Sequence, residues 1–195
     1  MGERTAARIV VAEDEAIIRM DLVELLAEEG YEVVADVGRG DLAVEAVRTH
    51  RPDAAIFDVK MPGLDGVEAV RQLAPERICP VIMLTAFSQR EVIEQARDAG
   101  ALAYLVKPFQ RTDLVPAIEL AIGRFEEVLA LAGERDELAG RLELRKLVDR
   151  AKGILMDGRG MSEHDAYGFL QRRAMEGRTT MADVARAVID GRLDR

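Results

Sequence analysis

Five side chains in the first part of the chain have the types and spacing needed for phosphoryl chemistry. Glu13 and Asp14 follow one short apolar run, Asp58 ends another, and Thr85 and Lys107 come at the ends of two more. Carboxylates that lie close together repel one another unless a cation neutralises them. Mg²⁺ suits an oxygen-only ligand set and also accepts water and phosphoryl oxygens. A carboxylate beside such a metal can attack phosphorus, while an ammonium and a hydroxyl stabilise the negative charge that develops.

The elements that must position these side chains are predicted to be strands of a parallel sheet. From Arg8 onward, short β-rich apolar runs alternate with amphipathic stretches of helical length, which is typical of βαβ units. The predicted strands are 8–12, 32–37, 54–58, 80–84 and 103–106. The predicted helices are 16–29, 42–50, 66–73, 89–99 with Ser88 as its cap, and 112 to about 127.

This pattern predicts an α/β fold with a doubly wound, five-stranded parallel sheet of order 2-1-3-4-5, which is flavodoxin-like. In an open parallel sheet, functional groups gather beyond the carboxyl ends of the strands. All five side chains are therefore expected at one rim of the sheet.

Around these side chains, the sequence closely resembles the receiver domain of bacterial response regulators. The resemblance covers about residues 7–125 and rests on four segments: Glu13-Asp14, FDVKMPGLDG around Asp58, LTA with Thr85, and Lys107-Pro108-Phe109. Their order along the chain and their places at the ends of predicted strands make the resemblance specific.

The resemblance implies that Asp58 accepts phosphate from a phosphohistidine on a sensor histidine kinase, with Thr85 and Lys107 assisting. Thr85 and Tyr104 would form the switch that responds to phosphorylation. A cis Lys107-Pro108 bond is also implied, although an X-Pro bond is usually trans. The protein would then be a regulator and not an enzyme with an external substrate.

The resemblance also implies a set of Mg²⁺ ligands. Asp14 and Asp58 would bind the ion directly, Glu13 would act mainly through water, and the backbone carbonyl of Lys60 would complete the protein ligands. Glutamate at position 13, in place of aspartate, is a common variant in the family.

Each of these residues also has an ordinary structural interpretation. Asp14 could cap the following helix, and Asp58 and Asp65 could be turn residues. Thr85 could be a strand-end hydroxyl and Lys107 a solvated cation. Any one of these residues can be explained in this way, but five such residues at the ends of four predicted strands are harder to explain as a coincidence.

A long helix is predicted after the sheet. Apolar residues recur at helical spacing between Ile118 and Leu142, amid many glutamates and arginines. Gly123, Gly133 and Gly140 each weaken such a helix by about 1 kcal/mol relative to alanine, so the helix needs a partner surface or bends there. The partner surface is either a second copy of the chain, in a coiled coil, or the domain to which the helix belongs.

The remainder of the chain is predicted to be a small all-α domain of three helices. Ser162 and Thr180 are the predicted N-caps, and the glycines of DGRG at 157–160 predict the first turn. Three apolar helix faces are expected to form one core: Leu147, Ala151, Ile154 and Leu155; Ala166, Phe169, Leu170 and Ala174; and Met181, Val184, Ala185 and Val188.

This tail resembles the ANTAR domain, a three-helix RNA-binding module of transcription antiterminators. The resemblance rests on AKGILM at 151–156, Ser162, Ala166-Tyr167, Leu170, Ala174 and MADVA at 181–185. It implies binding to paired stem–loops in nascent RNA, which prevents a terminator hairpin from forming. The expected domains are a receiver at 1–125, a linker helix at 126–143 and an ANTAR module at 144–195.

Basic side chains of the tail could form a surface that meets RNA phosphates. The candidate RNA-binding residues are Lys146, Arg150, Lys152, Tyr167, Arg172, Arg173 and Arg178. Tyr167 could stack on a loop base or belong to the core, and the arginines and lysines could merely solvate helix faces. Two other outputs stay open: a DNA-binding module with 181–189 as recognition helix, and a helical surface that docks a protein such as the kinase.

Charge differs between the two parts of the chain. Residues 1–140 carry a net charge of −12 and residues 141–195 carry +3. The acidic part is expected to repel nucleic acid and the tail to tolerate it, with a dimer needed for useful affinity. Because no apolar run is long enough to cross a bilayer and no secretory segment is evident, we expect no membrane partner and a cytoplasmic location. Cys79, the single cysteine, is expected to be a small buried residue.

Overall fold

The chain folds into two compact units. A computed structural model describes residues 6–86 and 90–192. One unit spans Met1–Ala130 and the other spans Leu131–Arg195. No helix in the described ranges combines the length and the apolar character needed to cross a bilayer.

The first unit is built on a five-stranded parallel sheet. Its strands are β1 (Arg8–Ala12), β2 (Glu32–Val37), β3 (Ala54–Asp58), β4 (Val81–Thr85) and β5 (Ala103–Val106). Their order across the sheet is β2-β1-β3-β4-β5, and all neighbours are parallel. The predicted fold class and strand order are confirmed. β4 lies one residue later than predicted, because Pro80 has no amide hydrogen to donate and Thr85 still pairs with Val106.

Helices cover both faces of this sheet. Those of the first unit are α1 (Ala16–Glu28), α2 (Gly40–His50), α3 (Gly66–Leu73), a short 3₁₀ helix (Ala74–Glu76), α4 (Arg90–Ala99) and the first part of α5 (Arg111–Arg159). Ile9 and Ile56 are buried against α1 and α5, whereas Phe57 and Met83 are buried against α2, α3 and α4. Burial on both faces explains why several strands are continuous apolar runs. The predicted cap Ser88 and the predicted helix start at Gln89 lie outside the described residues.

α5 is one continuous helix where the sequence predicted several segments. It includes the predicted helix at 112–127, the predicted linker and the first helix of the tail. Gly123, Gly133 and Gly140 lie within it, and a Cβ built on any of the three meets no atom within 4 Å. These glycines do not end the helix, because glycine lowers helix stability without removing a backbone hydrogen bond.

The second unit packs the end of α5 against α6 (Glu163–Glu176) and α7 (Met181–Ile189). Ser162 and Thr180 cap α6 and α7 as predicted, since each hydroxyl accepts a hydrogen bond at 3.1 Å from the amide three residues further on. The first turn follows α5 at Gly160, whose φ of 64° is a left-handed conformation that glycine adopts without strain.

The core of the second unit follows the predicted faces with one exception. Ile154 is 41% exposed, so its predicted place in the core is wrong. The buried residues on this part of α5 are Val148, Ala151 and Leu155. Their spacing of three and four residues defines one helix face, and Ile154 lies at its edge.

Candidate functional site

The ends of the strands bring the five predicted side chains to one cleft. Carboxylate oxygens of Glu13, Asp14 and Asp58 lie within 4.8 Å of one another. Thr85 and Lys107 line the same cleft as Asp14 and Asp58, and its volume is about 350 Å³. Glu13 is completely buried and Asp58 is 7% exposed, whereas Asp14 is open to solvent. Such burial of carboxylates is costly unless a positive charge compensates it.

The Lys107 ammonium supplies part of this compensation. Its Nζ lies 2.8 Å from Asp58 Oδ1 and 2.5 Å from Glu13 Oε2. Burial lowers the pKa of Lys107, but the hydrogen bonds and charges of Asp58 and Glu13 outweigh burial and raise this pKa overall. Burial raises the pKa of Glu13, and the attraction of Lys107 offsets this effect only in part. Lys107 is therefore charged, and the cluster still has more negative than positive groups.

Backbone amides fix the two buried carboxylates in place. The amide of Lys60 donates to Asp58 Oδ2 at 3.1 Å, and the amide of Glu15 donates to Glu13 Oε1 at 3.2 Å. Lys60 lines the cleft, and the metal contact through its carbonyl stays a prediction. Each carboxylate thus has one oxygen held by an amide, while its other oxygen lies beside the Lys107 ammonium.

Gly66 lets α3 begin directly against the end of β3. Its amide donates to the carbonyl of Val59 at 2.9 Å, and a Cβ built on Gly66 would lie 2.0 Å from the backbone oxygen of Asp58. Asp65 caps α3 by accepting a hydrogen bond at 2.8 Å from the amide of Glu68. The segment after Asp58 therefore places the start of α3 against the backbone at the end of β3.

Arg19 supports the site from α1, and no feature of the sequence pointed to it. Its guanidinium donates to the carbonyl oxygen of Glu13 at 2.6 Å and to Asp36 Oδ1 at 3.2 Å. These contacts tie the chain after β1 to the end of β2. An arginine on a helix gives no sequence signal for such a role, because one of its partners is a backbone oxygen.

The two predicted switch residues lie on neighbouring strands. Thr85 ends β4 and is 4% exposed, and Tyr104 on β5 is 50% exposed. The backbone oxygen of Thr85 accepts a hydrogen bond at 2.8 Å from the amide of Lys107. The Lys107-Pro108 bond is cis, as the resemblance implied.

The donor set of the cleft fits a hard divalent cation. It offers three carboxylates and neither imidazole nor thiolate, a combination that suits Mg²⁺ better than Zn²⁺. Glu13 Oε2 is fully buried, and the Lys107 ammonium at 2.5 Å is the positive group beside it among the described residues. Such an oxygen retains lone pairs for a further positive partner.

The residues predicted to meet RNA all lie in the second unit. Lys152 differs from the rest, because its side chain is only 15% exposed and its Nζ lies 2.8 Å from Asp149 and 2.7 Å from Glu163. Tyr167 is 48% exposed, so the alternative that placed it in the core is wrong. The other exposed members of the set are Lys146, Arg150, Arg172, Arg173 and Arg178.

Comparison with known families agrees with these two units. Residues 9–119 match the family model of the response regulator receiver domain. The chain belongs to the response-regulator family. Residues 136–189 of this response regulator match the model of the ANTAR domain, so the protein combines a receiver with an ANTAR output domain. This combination of domains identifies the protein as a regulator of the response-regulator family.

Individual relatives support the same conclusion. Transcriptional regulatory protein PdtaR of Mycobacterium tuberculosis is 57% identical over 183 residues, which cover 94% of this response regulator and 89% of PdtaR. Chemotaxis protein CheY of Bacillus subtilis is 36% identical over 58% of this chain and 95% of its own. Among solved structures, the receiver domain of sensor histidine kinase PA1611 of Pseudomonas aeruginosa matches 60% of this chain and 98% of its own, with 32% identity and a TM-score of 0.56. That structure has a magnesium ion coordinated in its active site cleft.

Proposed function

We propose that a sensor histidine kinase phosphorylates this response regulator on Asp58, and that the protein then binds stem–loop RNA to cause transcription antitermination. The observation that carries the proposal is the cleft, in which three carboxylates lie within 4.8 Å of one another and Lys107 lies 2.8 Å from Asp58. The match of residues 136–189 to the ANTAR domain supports RNA as the output target.

In the proposed reaction, a carboxylate oxygen of Asp58 attacks the phosphorus of the phosphohistidine. The new O–P bond forms as the N–P bond breaks, and the bonding electron pair goes to the nitrogen of the leaving imidazole, which is protonated on its other nitrogen and so departs as neutral histidine. β3 and the amide of Lys60 orient the carboxylate. The ammonium of Lys107 and the hydroxyl of Thr85 stabilise the negative charge on the transferred group.

The proposed Mg²⁺ ligands are Asp14 and Asp58 directly, Glu13 mainly through water, and the carbonyl of Lys60. When bound, the ion neutralises the acidic cluster and the oxygens of the phosphoryl group. Before any ion or phosphate arrives, Lys107 holds Asp58 and Glu13 together without matching the full charge of the cluster.

The proposed signal is a shift between two conformations of the receiver. Thr85 moves its hydroxyl toward the phosphate and Tyr104 turns inward from its half-exposed position. This change alters packing or dimerisation through the linker helix at 126–143. Leu131, Leu138 and Leu142 of this helix are 65%, 64% and 54% exposed, which supports a homodimer through this surface.

Labelling with acetyl phosphate tests the phosphorylation site. Wild type should be labelled in the presence of Mg²⁺, and Asp58→Asn should not, because an amide does not attack phosphorus. Asp65→Asn is the matched control, since Asp65 lies close in sequence but caps α3, and it should keep its label. Equal labelling of wild type and Asp58→Asn would end the phosphorylation proposal.

Gel shifts with paired hexanucleotide-loop RNAs test the output. Arg173→Ala should weaken binding and reduce the dependence of affinity on salt by about one phosphate contact, because the Arg173 side chain is half exposed. Lys152→Ala should have a smaller effect on the salt dependence, because two carboxylates already neutralise that ammonium. Arg97→Ala, an exposed site in the receiver, serves as the control. If none of these substitutions changes RNA binding, the assignment of the RNA surface is wrong.

The DNA-binding alternative requires α7 as its recognition helix, and this helix is poorly equipped to read bases, which favours RNA. α7 offers Arg186 as its strong base-reading side chain, and the guanidinium lies 3.5 Å from Asp183 on the same helix. Binding of nascent transcripts and phosphorylation by a sensor kinase both place the protein in the cytoplasm in this proposal.

A further inference from the structure

A small pocket in the second unit combines apolar walls with an aromatic ring and an arginine. It lies where the ends of α5 and α7 meet α6, and its volume is about 170 Å³. Leu155, Phe169 and Val188 supply apolar walls, while Arg159 and Gly191 also line the pocket. A pocket of this size accommodates one planar ring system and not an extended chain.

Two guanidinium groups flank the Phe169 ring. The Cζ atoms of Arg159 and Arg173 lie 5.4 Å and 5.8 Å from the ring centroid, within the range of cation–π contact. Both arginines are exposed, so they are accessible to a ligand that approaches the ring. Tyr167, the other aromatic residue of the tail, lies two positions earlier on α6 and therefore points about 200° away around the helix.

An exposed apolar side chain borders the same pocket. Ile154 lines it and is 41% exposed, which is why this residue departs from the predicted core. The pocket therefore offers apolar surface that the three helices leave uncovered. Apolar surface next to arginines complements a ligand that has a flat uncharged part and a negatively charged part.

We infer that this pocket takes one unpaired base of the RNA loop. The inference rests on the proposed RNA binding and names the contact that reads the loop. Proteins recognise single-stranded RNA by stacking splayed bases on aromatic rings and guanidinium planes, while basic side chains hold the phosphates. The base lies against Phe169 and Arg159, and Arg173, which does not line the pocket, holds an adjacent phosphate. The net charge of +3 over residues 141–195 favours this occupant.

Abasic substitution in the RNA identifies the base. The probe is the paired hexanucleotide-loop RNA, with each loop position made abasic in turn and binding to the full-length protein measured at fixed salt. One abasic position should weaken binding to wild type by about 5- to 150-fold, the range expected for one stacked base. In Phe169→Leu, which keeps the apolar volume but removes the π face, the same position should have almost no further effect. Met175→Leu, at an exposed apolar position of α6 that does not line the pocket, should respond like wild type.

A second pair of variants separates binding from folding. Gly158 lines the pocket, and a Cβ built on it meets no atom within 4 Å, as is also true of Gly123 outside the pocket and outside the linker helix. Gly158→Leu should fill the pocket and weaken RNA binding without loss of thermal stability, whereas Gly123→Leu should leave binding unchanged. If each abasic position lowers the affinity of wild type, Phe169→Leu and Gly158→Leu by the same factor, the pocket assignment is wrong, whereas RNA binding itself is supported. If wild type binds none of these RNAs, both the proposed function and the pocket assignment fail.

Discussion

Gly66→Ala is the substitution whose effect the structure fixes most directly. The new Cβ would lie 2.0 Å from the backbone oxygen of Asp58 and 2.9 Å from Met83 Cε. Real Cβ atoms do not approach other atoms closer than 3.0 Å, so the start of α3 must move away from the end of β3 by about 1 Å. Because the obstacle is backbone and not a flexible side chain, rotamer changes cannot relieve it.

The expected cost has two parts. Overpacking of this kind costs about 1–3 kcal/mol, and weakening the hydrogen bond from the Gly66 amide to the Val59 carbonyl adds about 1 kcal/mol. The free energy of unfolding of the first unit should therefore fall by about 2–4 kcal/mol. Gly133→Ala is the matched control, because its Cβ meets nothing within 4 Å and alanine should stabilise α5 by up to about 1 kcal/mol.

Urea titration followed by far-UV circular dichroism measures both variants, since the chain has no tryptophan. With a slope of about 2 kcal/mol per M, the Gly66→Ala midpoint should fall by about 1–2 M. Labelling by acetyl phosphate should also slow in Gly66→Ala under conditions where it remains folded, because Asp58 shifts with its backbone. Equal midpoints for wild type and Gly66→Ala, or equal losses in both variants, would show that α3 does not pack directly on the end of β3.

Three further predictions concern single side chains. Glu13→Gln should raise the free energy of unfolding at neutral pH without Mg²⁺. The reason is that the pKa of Glu13 in the folded state is raised above 4.5, so the wild type loses stability as pH rises from 4.5 through that pKa. Urea titrations from about pH 4 to 8 should show this loss in wild type alone, and parallel pH profiles would contradict it. Ser162→Ala should lower the free energy of unfolding of the second unit by about 1 kcal/mol, or its melting temperature by about 4–8 °C, and an unchanged melt would exclude the capping role. Cys79 should react with iodoacetamide much more slowly in native protein than in denaturant at about pH 8, because burial raises its thiol pKa to about 12, and equal rates would refute this.

The acidic cleft could be predicted from the sequence because topology alone brings its side chains together. Parallel strands end at one edge of a sheet, so side chains far apart in sequence, such as Asp14, Asp58 and Lys107, are forced into one cleft once the strands are located. The strands themselves were recognisable because burial on both faces makes them continuous apolar runs. Neither step requires knowledge of side-chain packing.

The features that escaped prediction depend on partners distant in sequence. Lys152 was expected to meet RNA, but its ammonium pairs with Glu163 across the α5–α6 junction. Arg19 holds a backbone oxygen that no residue pattern encodes. Cys79 was expected to be buried and is only partly so, because it lines a surface cavity of the first unit with Phe125 and others. Local sequence sets which face of a helix is apolar, whereas these contacts depend on which surface meets that face.

Charge balance explains why a carboxylate that is costly to bury ends β3. With all groups ionised, three carboxylates face one ammonium, an excess of two negative charges that a divalent cation matches. In the proposed reaction, Asp58 exchanges its single charge for a phosphoryl group that carries about two. With the cation bound, the cleft then carries about one negative charge in excess, and the groups that line the cleft and can stabilise that charge are Lys107 and the hydroxyl of Thr85. The Lys107 amide donates a hydrogen bond to the Thr85 backbone oxygen at 2.8 Å, so the ends of β4 and β5 are coupled. If either residue shifts toward the phosphate, the other strand end moves with it, and Tyr104 lies on β5 beside this coupled pair.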